Sequence, residues 1–286
     1  MRTRNSKVRG PKSASGVAIA SAKVIRWQLG EQPKRELDDL AREEPLEIRV
    51  RGKTVVVTMR TPGEDRELAA GFLLSEGLLR KPDDLLEIAY CQRGESANYK
   101  NILNVFVAPH VEPNFKELTR HVYASSSCGL CGKTSIEAVH QHFEPIQSKL
   151  SIESTQIALL PAKLRIAQEA FDRTGGLHAA AIFDSNGELL VLREDVGRHN
   201  AVDKVLGHCF LEKKFPLDSH ILLVSGRASF EIMQKALSAR IPIIAAISAP
   251  SSLAVEFAKE SGQTLIGFLR GLSMNIYSWP KRIIRE

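Results

Sequence analysis

HILLVSGRASFEIMQKALSARIPIIAAISAPSSLAVEFAKESGQTLIGFLRG, residues 220–271, decides the fold class. Three short apolar runs, HILLVSG, IPIIAAIS and TLIGFLRG, alternate with two amphipathic segments, ASFEIMQKALSAR and SSLAVEFAKESG. Apolar runs of four to six residues bounded by turn residues read as strands buried on both faces. Segments with apolar residues three and four apart read as helices. Strands separated by helices predict a largely parallel sheet in a three-layer α/β domain.

Working outward, NAVDKVLGHCFLEKK precedes this stretch as another helix. LHAAAIFD and ELLVLRED read as strands around the turn Ser185-Asn186-Gly187. SIESTQIALLPAKLRIAQEAFDRTGG reads as a helix ending at Gly175-Gly176, and Pro161 either splits it or marks its true start. Toward the N-terminus, PLEIRVRGKTVVVTMRT predicts two strands around Gly52-Lys53, followed by a helix in EDRELAAGFLLSEGLL. LLEIAYCQ and NILNVFVAP form a second strand pair joined by the polar loop RGESANYK. The expected organisation is α/β overall. It comprises a basic disordered tail (1–16), an α+β N-terminal unit (17–122), a linking loop and helix (123–147), and a three-layer α/β C-terminal domain (148–286).

The chain has 286 residues, 43% hydrophobic and 25% charged, with a formal charge of +6. Arg2, Arg4, Lys7, Arg9 and Lys12 account for most of that charge, so residues 17–286 carry only about +1. That distribution argues against a nucleic-acid-binding face in the folded part. No apolar run approaches the ~20 residues of a membrane helix, and the tail has no central hydrophobic stretch of a secretory signal. Four cysteines without such a signal suggest a reducing cytoplasm, where a C-x-x-C is catalytic or metal-binding more often than structural.

That pair lies in YASSSCGLCGKTSIEAVHQHF, residues 123–143. Thr134 and Glu137 fit a capping box, which would place Cys131 close to a helix start and beside Lys133; both features favour a thiolate. Small neighbours leave Cys128 and Cys131 approachable. Four readings stay open: a zinc site, which lacks a second C-x-x-C; a thioredoxin-type redox pair; a sulfur-carrying thiol; and two incidental surface cysteines. Cys91 and Cys209 read as packing residues.

Three strand-to-helix junctions, REDVGRHNAVD, SGRASFE and ISAPSSLAVE, offer free backbone N–H groups. Arg198, His199 and Arg227 add charge, and Asn200 and Ser251 are candidate caps. If the strands are parallel, all three junctions share one rim with FLRGLSMN around Arg270. A polyanion such as a nucleotide diphosphate is the expected ligand, although no Walker loop or G-x-G-x-x-G occurs. His178 is either a buried backbone-bonded histidine or a ligand contact, and Asp195 is either a salt bridge or a base.

SSSCGLCGK, TGGLHAAAIFD, REDVGRHNAVDKVLG, SGRASFEIMQKAL, ISAPSSLAVE and GFLRG with MNIY together resemble the FdhD family, accessory sulfurtransferases of formate dehydrogenase. The likeness runs from about Pro45 to Tyr277. It implies a C-terminal domain similar to the cytidine deaminase fold, a homodimer, and sulfur taken from a cysteine desulfurase as a persulfide on Cys128, with Cys131 assisting. It also implies delivery to molybdenum (or tungsten) bis-molybdopterin guanine dinucleotide, the client cofactor, before insertion into formate dehydrogenase. The family's cofactor-binding stretch falls on Phe268, Leu269, Arg270, Gly271, Leu272 and Ser273. The zinc deaminase signature is not met: Ser127 replaces the proline of its P-C-x-x-C, so no metal ligand is expected.

Overall fold

A computed structural model describes residues 15–92, 100–115 and 143–285. Residues 1–14 of the basic tail, the C-x-x-C pair and the Thr134 capping box fall outside the described residues; Ser15 and Gly16, expected in the tail, begin a helical turn.

The C-terminal half is built on a six-stranded sheet. Its strands are β8 (His178–Phe183), β9 (Leu189–Asp195), β10 (Ile221–Val224), β11 (Ile243–Ala246), β12 (Thr264–Arg270) and β13 (Ser273–Ser278), in the order β13-β12-β11-β10-β8-β9. The sheet is mixed rather than largely parallel. Only β10–β11 and β11–β12 run parallel, while β8–β9, β8–β10 and β12–β13 are antiparallel. The cause is local: the turns at Ser185–Gly187 and Gly271–Leu272 are too short for a crossover and force hairpins.

Both faces of this sheet are covered, as the apolar strands required. Ala180, Ile182, Leu222, Val224, Ile244 and Leu265 face α5 (Arg198–Leu211), α6 (Phe230–Ser238) and α7 (Ser252–Glu260). Ala179, Ala181, Phe183, Ile221, Leu223 and Ile243 face α3 (Ser154–Ala167), through its Ile157, Leu160 and Leu164. Alternate residues of each strand enter opposite cores, so continuous apolar runs are needed. Pro161 neither splits nor starts α3. The break falls at Gln168, after which α4 (Glu169–Thr174) begins with the Glu194 carboxylate accepting the N–H groups of Ala170 and Phe171 at 2.9 and 2.8 Å. A two-residue pairing of β7 (Ile152–Glu153) with β14 (Ile283–Ile284) closes the C-terminus.

The N-terminal half carries a four-stranded sheet of order β4-β3-β6-β5, from β3 (Glu44–Val50), β4 (Lys53–Arg60), β5 (Leu85–Tyr90) and β6 (Ile102–Val107). The β3–β4 turn is Arg51-Gly52, one residue earlier than expected, with φ of 48° and 77°. Positive φ at both central residues matches strand twist in a tight hairpin. Before it, a helical turn α1 (Ser15–Ala18) leads into a separate ribbon of β1 (Ile19–Arg26) and β2 (Lys34–Ala41).

One core cluster joins the two halves through α2 (Asp65–Ser75), which crosses α5 at backbone contact. A Cβ on Gly71 would lie 1.9 Å from the Asp203 carbonyl oxygen, and one on Gly207 would lie 1.8 Å from that of Glu67. Ion pairs flank the crossing. Arg193 forks onto Glu67 at 2.6 and 2.8 Å, and Lys235 donates to Asp203 at 2.8 and 2.9 Å. No helix among the described residues is long and apolar enough to cross a membrane.

Candidate functional site

β9, β10, β11 and β12 all end at the same edge of the large sheet, and β8 begins there. The expected rim therefore forms despite the mixed sheet, because the antiparallel β8 restores the direction of β9 to that of β10. Each junction is tied to the next. The Ser225 hydroxyl accepts from the Ala179 N–H at 2.9 Å, the Ser251 N–H donates to the Ala228 carbonyl at 3.0 Å, and the Phe268 N–H donates to the Ser248 carbonyl at 3.1 Å. Ser251 caps α7, accepting from the Ala254 N–H.

The β9–α5 loop is held from beneath by a buried ion pair. Asp195 and Lys204 are both buried, with Nζ 2.8 Å from Oδ2. The Asp195 carboxylate also accepts from the N–H groups of Thr61 and Gly197 and from Asn200 Nδ2, at 3.1, 2.8 and 3.0 Å. Lys204 donates further to the Thr61 carbonyl at 2.9 Å. Asp195 is thus a salt-bridged anchor whose partner is Lys204. Asn200 caps nothing; its amide bridges Asp195 to the Met59 carbonyl of β4. Thr61 and Lys204 were not apparent as site residues from sequence. The available signal was a lysine beside the apolar positions Ala201 and Val205, since a charge there needs a buried partner.

Above this anchor, His178 and Arg198 converge on Gly226, where a Cβ would meet His178 Nδ1 at 3.5 Å and Arg198 Cδ at 3.7 Å. Arg198 Nε is buried without a hydrogen-bond partner, and Arg227 is exposed. His199 Nε2 lies 2.8 Å from Glu231 Oε2 and 3.3 Å from Ser229 Oγ. The hydrogen bond from His199 holds Glu231 below the usual carboxylate range against the opposing effect of burial. Ser229 precedes α6, yet its hydroxyl accepts no helix N–H. The N–H groups of that first turn therefore face the rim without a side-chain cap.

Burial, then the charges of Arg198 and His199, lower the pKa of His178, with Asp195 acting weakly in the other direction. His178 is accordingly neutral at pH 7 and able to accept a proton or hydrogen bond. In a proton NMR titration its ring is expected to change state below the ordinary value of about 6.5. Arg198→Gln is expected to move that midpoint upward; an unchanged midpoint would exclude Arg198 as a cause.

The stretch Phe268–Ser273 lies at the same edge. Arg270 is pinned by a 2.8 Å bond from Nε to the Ile247 carbonyl. Gly271 and Leu272 form the β12–β13 turn, with Leu272 92% exposed. Leu269 is fully buried in the core, so its side chain faces away from the rim. Cys209 is buried on α5, where burial pushes its thiol up to about 11, as befits a packing residue. Cys91 follows β5, its N–H bonded to the Ile102 carbonyl. Cys128 and Cys131 lie outside the described residues, so their distance to the rim is not part of this geometry.

The family model described as the FdhD/NarQ family matches residues 41–284. The sulfur carrier protein FdhD of Streptomyces avermitilis is 53% identical over 270 residues, covering 91% of this chain and 94% of that protein. Its namesake in Mycobacterium bovis is 50% identical over 275 residues, covering 94% and 99%. The one in the archaeon Saccharolobus solfataricus is 42% identical over 271 residues, also covering 94% and 99%. The crystal structure of a candidate formate dehydrogenase accessory protein from Desulfotalea psychrophila superposes with a TM-score of 0.74 at 25% identity, covering 93% of this chain and all of that one.

Proposed function

Because the chain belongs to the FdhD/NarQ family, we propose that it is a sulfur carrier in the maturation of formate dehydrogenase. The observation that carries this reading is the 53% identity, over 91% of the chain, to a protein named as such a carrier. The C-x-x-C pair supplies the thiols such a role needs, and the rim supplies donors for an anionic client.

In this reading a cysteine desulfurase presents a persulfide. The Cys128 thiolate attacks its outer sulfur, the desulfurase thiolate leaves, and a new persulfide stands on Cys128 with no net oxidation. Cys131 then attacks the Cys128 sulfur and expels hydrosulfide toward the client, leaving a Cys128–Cys131 disulfide that a thiol reductant reopens with two electrons. The client is the molybdenum bis-molybdopterin guanine dinucleotide. Its phosphates would lie against Arg198, Arg227 and the first turn of α6, and its guanine end along Phe268–Ser273. The carrier acts in the cytoplasm as a homodimer.

The test is mass spectrometry after incubation with a desulfurase and cysteine. The alkylated Cys128 peptide is expected to gain one sulfur, about 32 Da, and Cys128→Ala to gain none and to leave formate dehydrogenase at least about 100-fold less active. Two results would replace the reading. Full maturation by Cys128→Ala marks a cofactor chaperone without sulfur chemistry, and a stable Cys128–Cys131 disulfide that reduces insulin marks a dithiol oxidoreductase.

A further inference from the structure

His178 and Arg198 meet over Gly226, and neither is committed to a partner. His178 opens β8, opposite Asp195 at the end of β9, and its ring is half-buried. A histidine so placed normally donates or accepts through at least one ring nitrogen. Among the described residues, neither nitrogen of His178 has a hydrogen-bond partner. Arg198 opens α5. Its Nε is buried without an acceptor, and no described carboxylate lies within ion-pair distance of it. The two side chains are close, since a Cβ on Gly226 would lie 3.5 Å from His178 Nδ1 and 3.7 Å from Arg198 Cδ.

The other charges around the ring are engaged elsewhere. Asp195 is held by Lys204 at 2.8 Å and by the donors of Thr61, Gly197 and Asn200. Glu231 of α6 is turned to His199 at 2.8 Å, and Arg227, in the same junction, is exposed. Burial, then the unbalanced charge of Arg198, keeps the imidazole neutral. An anion seated on Arg198 cancels that charge and adds its own attraction for an imidazolium.

We propose that His178 is the proton site of the rim: an anion that docks on Arg198 brings a proton onto the imidazole with it. The proposal rests on the anion-binding rim of the proposed function and adds the residue that couples docking to chemistry. A persulfide anion parts poorly unless its outer sulfur gains a proton, because bare sulfide is too basic to leave. As the attacking thiolate bonds to the inner sulfur, the imidazolium gives its proton to the outer one. The sulfur–sulfur electron pair leaves with hydrosulfide, and the ring returns to neutral. Release is thereby favoured once the anionic client is in place.

Sulfate tests the coupling, because it neither gains nor loses a proton near neutrality. The His178 ring is followed by proton NMR in the full chain, in sodium sulfate and in matched sodium chloride. Sulfate is expected to raise the midpoint by about one pH unit, a roughly tenfold stronger hold on the proton. Arg198→Gln is expected to remove that response. By reciprocity, sulfate is expected to bind several-fold tighter at about pH 5 than at about pH 8, and His178→Gln to lose this preference. Desulfurase-loaded protein is expected to release hydrosulfide at least about threefold faster in sulfate than in chloride, an advantage absent from His178→Gln. A midpoint that bound sulfate leaves unmoved overturns the proposal, and equal release rates overturn the proton-donating step. Failure of sulfate to bind overturns the rim and the coupling together. A shifted midpoint in a protein that takes no sulfur from a desulfurase supports the coupling and removes the sulfur-carrier reading.

Discussion

Gly207→Ala is expected to leave the protein at least about 3 kcal/mol less stable, and much of it insoluble. The added Cβ would be 1.8 Å from the Glu67 carbonyl oxygen, and that oxygen belongs to a helix backbone that no side-chain rotation can move. Relief requires α2 and α5 to separate. Separation would stretch the Arg193–Glu67 fork and the Asp203 bonds to Ser75 and Lys235, which span the same crossing. Gly71→Ala meets the mirror-image contact with Asp203 and is expected to behave alike. Urea denaturation followed by circular dichroism measures the loss. A Gly207→Ala protein within about 1 kcal/mol of the unaltered one would mean that the helices do not approach this closely.

The second large effect concerns the anchor under the rim. Lys204→Met keeps the length of the side chain but strands the Asp195 carboxylate where no solvent reaches it. Three neutral donors remain, yet breaking a buried pair from one side typically costs about 3–5 kcal/mol. The double variant Asp195→Asn with Lys204→Met removes both charges and is expected to recover part of that loss. Comparing the single and double variants by urea denaturation isolates the coupling. Equal stability of Lys204→Met and the unaltered protein would show that the pair contributes nothing. Because Asp195 also fixes the Gly197 N–H and the Asn200 amide, Lys204→Met should additionally disorder the loop that carries Arg198.

The alternation between residues 198 and 270 was legible because each strand is buried on both faces and each helix on one, so two periods coexist in the sequence. The rim followed from that alternation, and it survived the antiparallel β8 because β9, antiparallel to β8, runs in the direction of β10. The ribbon β1–β2 was not legible. KRELDDLA carries more charge than apolar surface, and Trp27 and Leu29 at its tip are 73% and 94% exposed, so no buried face imprints a period. Lys204 escaped notice because its partner Asp195 ends the preceding strand, off the helix face that carries Lys204, and Thr61 lies 143 residues away in the other half of the molecule.

Because α5, α6 and α7 all begin at one edge of the sheet, their peptide dipoles point the same way, and about half a positive charge per helix gathers there independently of any side chain. An approaching polyphosphate therefore meets an attractive field before it touches an arginine, in a molecule whose charge outside the tail is nearly balanced. Such a field would speed the encounter with any polyanion, and its reach contracts as ionic strength rises and the Debye length falls below about 10 Å.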